Sequence, residues 1–104
     1  MILTNSLALL LGSTVVSAQL HDLAVRAGLE YFGTTLDERR VNSDATYRSI
    51  YTDTAEFGQL VPENGQKWQN TQPSRGTFSY TQGDIIPAIA KANGQILRCH
   101  TLTW

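Results

Sequence analysis

Two spacings of apolar residues alternate along this chain. In Leu20-His21-Asp22-Leu23-Ala24-Val25-Arg26-Ala27 they recur at helical spacing and stop at Gly28, a residue that readily takes the left-handed backbone of a helix end. A short helix is expected there. Tyr31-Phe32-Gly33-Thr34 reads as a first strand, and Leu36 to Asn42 as a charged, turn-prone segment in which Asp37-Glu38-Arg39-Arg40 are most simply solvated. Ser43 or Asp44 can then cap a helix through Glu56, a short side-chain oxygen satisfying an orphan backbone N–H, with Tyr47, Ile50, Tyr51 and Ala55 on one face.

The pattern repeats. Phe57-Gly58-Gln59-Leu60-Val61 is a second apolar run, followed by the polar cluster Pro62-Glu63-Asn64-Gly65-Gln66-Lys67-Trp68. Gly83-Asp84 opens a third helix with the stripe Ile85, Ile86, Ala88, Ile89 and Ala92, closed by Asn93-Gly94. Gly94 to Trp104 reads as a buried third strand that carries polar and aromatic side chains at its end. Parallel strands need a crossover connection, and Thr71 to Asn93 is long enough for a loop and a helix. The order predicts an α/β fold of about three parallel strands with flanking helices. In such sheets ligands gather at the carboxyl ends of the strands, where loops vary and strands fix the geometry. No solenoid repeat or low-complexity stretch interrupts the order.

The first eighteen residues stand apart. Leu7-Ala8-Leu9-Leu10-Leu11 is a short apolar core and Val16-Ser17-Ala18 offers the small residues read by a signal peptidase, so residues 1–18 read as a secretion signal and the mature chain as starting at Gln19. The apolar stretch is well short of the ~20 residues that span a bilayer. A formal charge of −1 without a basic run suggests neither nucleic acid nor an anionic membrane surface as a partner. A neutral polysaccharide is compatible with it. The single cysteine, Cys99, excludes a disulfide and a cysteine-rich metal site within these residues, and is most simply a buried thiol on a strand, the alternative being a pairing with a cysteine beyond Trp104. No cofactor is expected, because metal-ligand spacing, a phosphate-binding glycine loop and a G-x-S-x-G elbow are all absent from the sequence.

Several ordered motifs carry a family resemblance. Glu63-Asn64 with Lys67-Trp68, Pro73-Ser74-Arg75-Gly76-Thr77-Phe78, and Arg98-Cys99-His100-Thr101-Leu102-Thr103-Trp104, preceded by Leu29-Glu30-Tyr31-Phe32-Gly33-Thr34, resemble the N-terminal third of a family ten glycoside hydrolase, an endo-1,4-β-xylanase. The resemblance runs from about Leu20 to Trp104 and implies that residues 19–104 are the N-terminal part of a (β/α)8 TIM barrel, a fold that takes ~250 residues. Three strands cannot close a barrel, so an isolated piece would leave sheet edges and an apolar face open. Gln66, Cys99 and Thr103 stand where the family usually has Met or another apolar residue, Gly and Val.

A glycosidase needs two carboxyl groups flanking the scissile bond, ~5–5.5 Å apart when configuration is retained. Glu56 near a helix end, Glu63 past a strand and Glu30 before one do not form that pair. The resemblance implies an acid/base Glu after the fourth strand and a nucleophile Glu on the seventh, both beyond Trp104. It implies that Glu63, Asn64, Lys67, His100 and Trp104 hold the sugar on the non-reducing side of the cleavage point. Carboxylate, amide and ammonium groups suit that task, since they divide a sugar's vicinal hydroxyls among acceptors and donors. Trp104 is expected to pack on a sugar face, whereas Trp68 is assigned a structural role and Arg98 a buried pairing with a carboxylate. The implied activity is hydrolysis of xylan by a secreted enzyme. A non-catalytic secreted carbohydrate-binding protein of the same fold, and an enzyme acting on another β-1,4-linked glycan, remain as alternatives.

Overall fold

The computed structural model describes residues 17–103. Residues 1–16 of the expected signal, and Trp104, lie outside the described residues. Helix α1 (Leu20–Arg26) leads into strand β1 (Gly33–Leu36), helix α2 (Ala45–Tyr51), strand β2 (Gln59–Pro62), the single turn α3 (Trp68–Thr71), helix α4 (Ile85–Asn93) and strand β3 (Ile96–Leu97). The strands form one parallel sheet in the order β1-β2-β3, with Gly33 to Leu36 paired to Gln59 to Pro62, and Gln59 and Leu60 to Ile96 and Leu97. Each strand is joined to the next by a crossover helix, α2 and then α4, as the alternating sequence predicts.

Local chemistry sets the element ends. Asp44 caps α2 by accepting the Tyr47 N–H at 2.9 Å, and Gly94, at φ 70°, ends α4 in the left-handed conformation that costs glycine nothing. Pro87 falls in the first turn of α4, where its missing N–H would have had no helical partner. With seven residues, α1 is too short to persist alone. It is held from outside: the His21 and Asp22 N–H groups donate to the Ala55 carbonyl at 3.0 and 3.2 Å, and His21 Nδ1 accepts the Phe32 N–H at 3.2 Å.

The core lies where the sheet meets α2 and α4. Leu36 of β1 and Leu60 of β2 are fully buried beside Val41, Tyr51, Ile86 and Ala90, with Tyr47, Ile85, Ile89 and Leu97 packed around them. At ~25 cal/mol per Å² of apolar surface removed from water, this one cluster is the main source of cohesion. Two buried amides serve it: Gln95 Nε2 donates to the Tyr51 and Phe57 carbonyls at 2.9 and 2.7 Å, and Gln59 Nε2 to the Leu60 carbonyl at 2.9 Å. Both outer strands leave an unpaired edge among the described residues, and Ile50, Ile96 and Leu102 are exposed.

Four expectations change. Helix α2 ends at Tyr51 rather than Glu56, because Asp53 turns the chain, its carbonyl accepting the Glu56 and Phe57 N–H groups. The third strand pairs only over Ile96–Leu97 rather than along the whole of Gly94 to Trp104. Arg98 and Cys99 are consequently exposed, not buried, and the pairing invoked to offset burial of Arg98 is not required. Glu38 is buried, not solvated, at 6% exposure.

Candidate sugar-binding site

Parallel pairing brings the carboxyl ends of all three strands to one side of the sheet. Because Leu36 pairs with Pro62, the turns that start at Asp37 and Glu63 begin at the same level, and the Glu63 N–H donates back to the Leu36 carbonyl at 3.0 Å. Leu60 pairs with Leu97, so the segment reaching His100 rises on the other side of β2. Glu63, Asn64, Lys67 and His100 therefore stand at one end of the sheet.

Glu63 follows directly on β2 and its Oε1 accepts the Thr35 hydroxyl at 3.2 Å, which fixes the carboxylate against the neighbouring strand. Asn64 is the hub of the turn. Its Oδ1 accepts Lys67 Nζ at 3.0 Å, and its carbonyl accepts the Lys67 N–H at 3.0 Å and Asn70 Nδ2 at 2.7 Å. Its own N–H is held by the Glu38 carboxylate. The turn needs glycine at position 65, because a β-carbon there would press on the Gln82 carbonyl and lie 2.9 Å from Glu38 Oε1. His100 joins through its backbone: its N–H donates to Gln66 Oε1 at 3.0 Å, while Gln66 Nε2 reaches the Gly83 carbonyl at 3.4 Å. One amide thus ties the β2 turn, the segment after β3 and the start of α4 together.

Two open clefts flank this turn. One, of about 540 Å³, is polar and is lined by Asp37, Glu38, Arg39, Asn64, Asn70 and Gln82 among others. The other, of about 390 Å³, is apolar, with Gln66, Trp68, Phe78, Tyr80, Cys99 and Leu102 on its walls. Asn64 lines the first; Glu63, Lys67 and His100 line neither. Trp68 is not a core residue: it is 56% exposed, and its indole Nε1 donates to the Leu102 carbonyl at 3.2 Å.

The Arg39 guanidinium, hydrogen-bonded to both Asp37 carboxylate oxygens at 3.1 Å, holds the Asp37 carboxyl below its ordinary range. Glu56 lies before β2 and Glu63 after it, at opposite ends of a four-residue strand roughly 13 Å long, so the two cannot flank one glycosidic bond. Among the described residues no group of His, Cys, Asp and Glu is placed to hold a metal ion, and no helix is long and apolar enough to cross a membrane.

Reasoning from sequence did not single out Thr35, Glu38 or Asn70 as parts of this network. The register, which sets residues just after β1 opposite residues just after β2, accounts for Glu38, while Thr35 lies in β1 and Asn70 in α3, where no motif marks them. Trp104, expected on a sugar face, lies outside the described residues.

Comparison with known proteins converges on one family. Residues 19–104 match the model of glycosyl hydrolase family 10. The chain is 62% identical over 97 residues to endo-1,4-beta-xylanase 1 of Humicola insolens, covering 93% of this chain and 23% of that protein. It is 47% identical to endo-1,4-beta-xylanase D of Talaromyces funiculosus, over 100% of this chain and 25% of that protein. Among solved structures, a Penicillium canescens endo-1,4-beta-xylanase superposes with a TM-score of 0.73 at 32% identity, over 82% of this chain and 25% of that one. A family 10 xylanase from Bispora sp. MEY-1, solved with xylobiose, gives 0.72 at 34% identity, over 80% and 26%. The chain thus spans about a quarter of the length of each of these proteins. Its three parallel strands and their helices are those of part of a TIM barrel. Its likeness to part of several endo-1,4-beta-xylanases agrees with the family match over residues 19–104, and the chain belongs to glycosyl hydrolase family 10.

Proposed function

We propose that the whole protein is a secreted endo-1,4-β-xylanase that hydrolyses internal β-1,4-xylosidic bonds of xylan with retention of configuration. In this reading, the present chain supplies sugar contacts on the non-reducing side of the cleavage point. The observation that carries the reading is the braced turn Glu63-Asn64-Gly65-Gln66-Lys67 at the carboxyl ends of the strands, in a chain 62% identical to a xylanase. Glu63 offers acceptors, Lys67 donors and Asn64 both, on a rigid strand end that holds them for a neutral sugar. His100 enters the same site from β3, and Trp104 supplies the apolar platform for a sugar face.

The residues of this chain bind and orient; the bond-breaking carboxyl pair comes from strands beyond residue 104. Glu30, Glu56 and Glu63 do not provide it, so residues 19–104 alone are expected to be inactive. The signal in residues 1–18 directs export, with cleavage after Ala18.

The test is the intact mass of the native secreted product, together with xylan hydrolysis and xylobiose binding in the same purified fraction. A product several times heavier than residues 19–104, beginning at Gln19 and releasing reducing ends from xylan, supports the reading. A product of residues 19–104 that binds xylobiose without hydrolysis overturns the enzyme and leaves a carbohydrate-binding protein.

A further inference from the structure

Glu38 lies just beyond β1, two residues after Leu36, and Asn64 two residues after Pro62, the register partner of Leu36. The sheet therefore sets the Glu38 side chain opposite the Asn64-Gly65 turn. Its carboxylate is buried there at 6% exposure. Oε1 accepts the Gly65 N–H at 2.7 Å, and both oxygens accept the Asn64 N–H at 3.3 Å. A carboxylate is costly to remove from water unless its lone pairs are satisfied, and these two amides do that in a space that admits no side chain at Gly65.

We propose that Glu38 is a positioning residue for the sugar-binding turn. It acts through Asn64, whose N–H it holds while the Asn64 side chain orients Lys67 and its carbonyl takes the Lys67 and Asn70 donors. Without Glu38 the turn keeps those internal bonds and the ties that Gln66 makes, but the Asn64 and Gly65 N–H groups lose their hold on the segment after β1, so Asn64 and Lys67 shift relative to Glu63, which stays fixed by Thr35. The sugar then meets acceptors and donors in the wrong relative placement, and binding weakens although no group that touches it has been removed. This inference rests on the assignment of Glu63, Asn64 and Lys67 to sugar binding. A carboxylate with no task beyond completing a turn is the competing account, and it predicts lost stability without lost affinity.

The experiment uses the full-length secreted enzyme and three variants, Glu38→Ala, Glu38→Gln and, as a destabilised control away from the site, Gln95→Leu. Xylobiose affinity, kcat and KM on xylan, and Tm are measured for each. Glu38→Ala should bind xylobiose about tenfold more weakly, the order expected for losing hydrogen bonds to a charged group, with KM raised more than kcat is lowered. Glu38→Gln retains an acceptor for Gly65 and should recover most of that affinity. Gln95→Leu should lower Tm and leave xylobiose affinity unchanged. Should Glu38→Ala fail to fold, Glu38→Asp, one methylene too short to hold both amides, takes its place, with weaker xylobiose binding and faster amide exchange at Asn64 and Gly65 as the supporting result and wild-type affinity as the overturning one. Unchanged xylobiose affinity in the variants against a wild type that binds it overturns the positioning role alone. A wild-type protein that neither binds xylobiose nor hydrolyses xylan overturns the underlying assignment instead.

Discussion

Gln66 accepts the backbone N–H of His100 at 3.0 Å, so a side chain in the turn after β2 sets the path of the chain after β3. Its Nε2 reaches on to the Gly83 carbonyl at 3.4 Å. A thioether at this position would fill similar volume yet neither accept nor donate with comparable strength. Gln66→Met should therefore cost the full-length protein about 1 kcal/mol and speed amide exchange at His100. Exchange at His100 that stays at the wild-type rate would remove the argument.

The His21 imidazole occupies the space that a β-carbon at Gly58 would need. Gly58 is also fixed at both ends, donating to the Phe32 carbonyl at 2.9 Å and accepting the Ile96 N–H at 2.8 Å, so the backbone cannot retreat. Gly58→Ala should destabilise the protein by about 2 kcal/mol through overpacking. The double variant with His21→Ala should recover part of that loss, because the clash it relieves is shared. Chemical denaturation of the four proteins measures the coupling; strictly additive losses would show that the ring is not what excludes the methyl.

The element types were legible in the sequence because each rests on local chemistry. Asp44 before an apolar face and Gly94 after one mark the ends of helices through caps that need no tertiary context. The polar run after β2 was also legible, and the register sets it level with the turn after β1. What stayed hidden is what pairing decides. Glu38 looks like any charged turn residue until the register of Leu36 with Pro62 sets it over Gly65. Arg98 looks buried only while the apolar run around it is read as one long strand, and pairing stops at Leu97. Trp68 is assigned a structural role as a large aromatic, though the wall it belongs to is open.

Acid should expose the cap of α2. The Tyr47 backbone N–H, then the Arg40 guanidinium, hold the Asp44 carboxyl below its ordinary 3.8. A carboxyl whose folded pKa is depressed contributes stability that is fully present above its unfolded pKa and is lost as pH falls through the folded value. The loss should thus begin near 3.8 and deepen below it. Asp44→Asn keeps an acceptor for Tyr47 but has no proton to take up, so its Tm should fall less steeply between about pH 4 and pH 2 than that of the wild type. Asp44→Ala should be less stable than either at neutral pH. Parallel Tm profiles for wild type and Asp44→Asn across that range would contradict the assignment.

A single buried side chain joins three elements at the opposite end of the sheet. Gln95, 8% exposed just before β3, donates through Nε2 to the Tyr51 carbonyl at the end of α2 and to the Phe57 carbonyl ahead of β2, while Asn93 Nδ2 donates to its Oε1 at 3.1 Å. Both carbonyls lie beyond the reach of their own helix or strand ladder, so the amide supplies donors that the backbone does not. Gln95→Leu preserves bulk and removes both donors, and should cost about 2 kcal/mol because two inward-facing carbonyls lose their partners. Gln95→Glu should be worse, since it brings a carboxylate against those carbonyl oxygens in place of the donor. Equilibrium denaturation of the full-length protein orders the two variants. A leucine variant as stable as the wild type would mean that water reaches Tyr51 and Phe57 freely, and that the three elements are joined by the apolar cluster of Leu36, Leu60 and Ile86 alone.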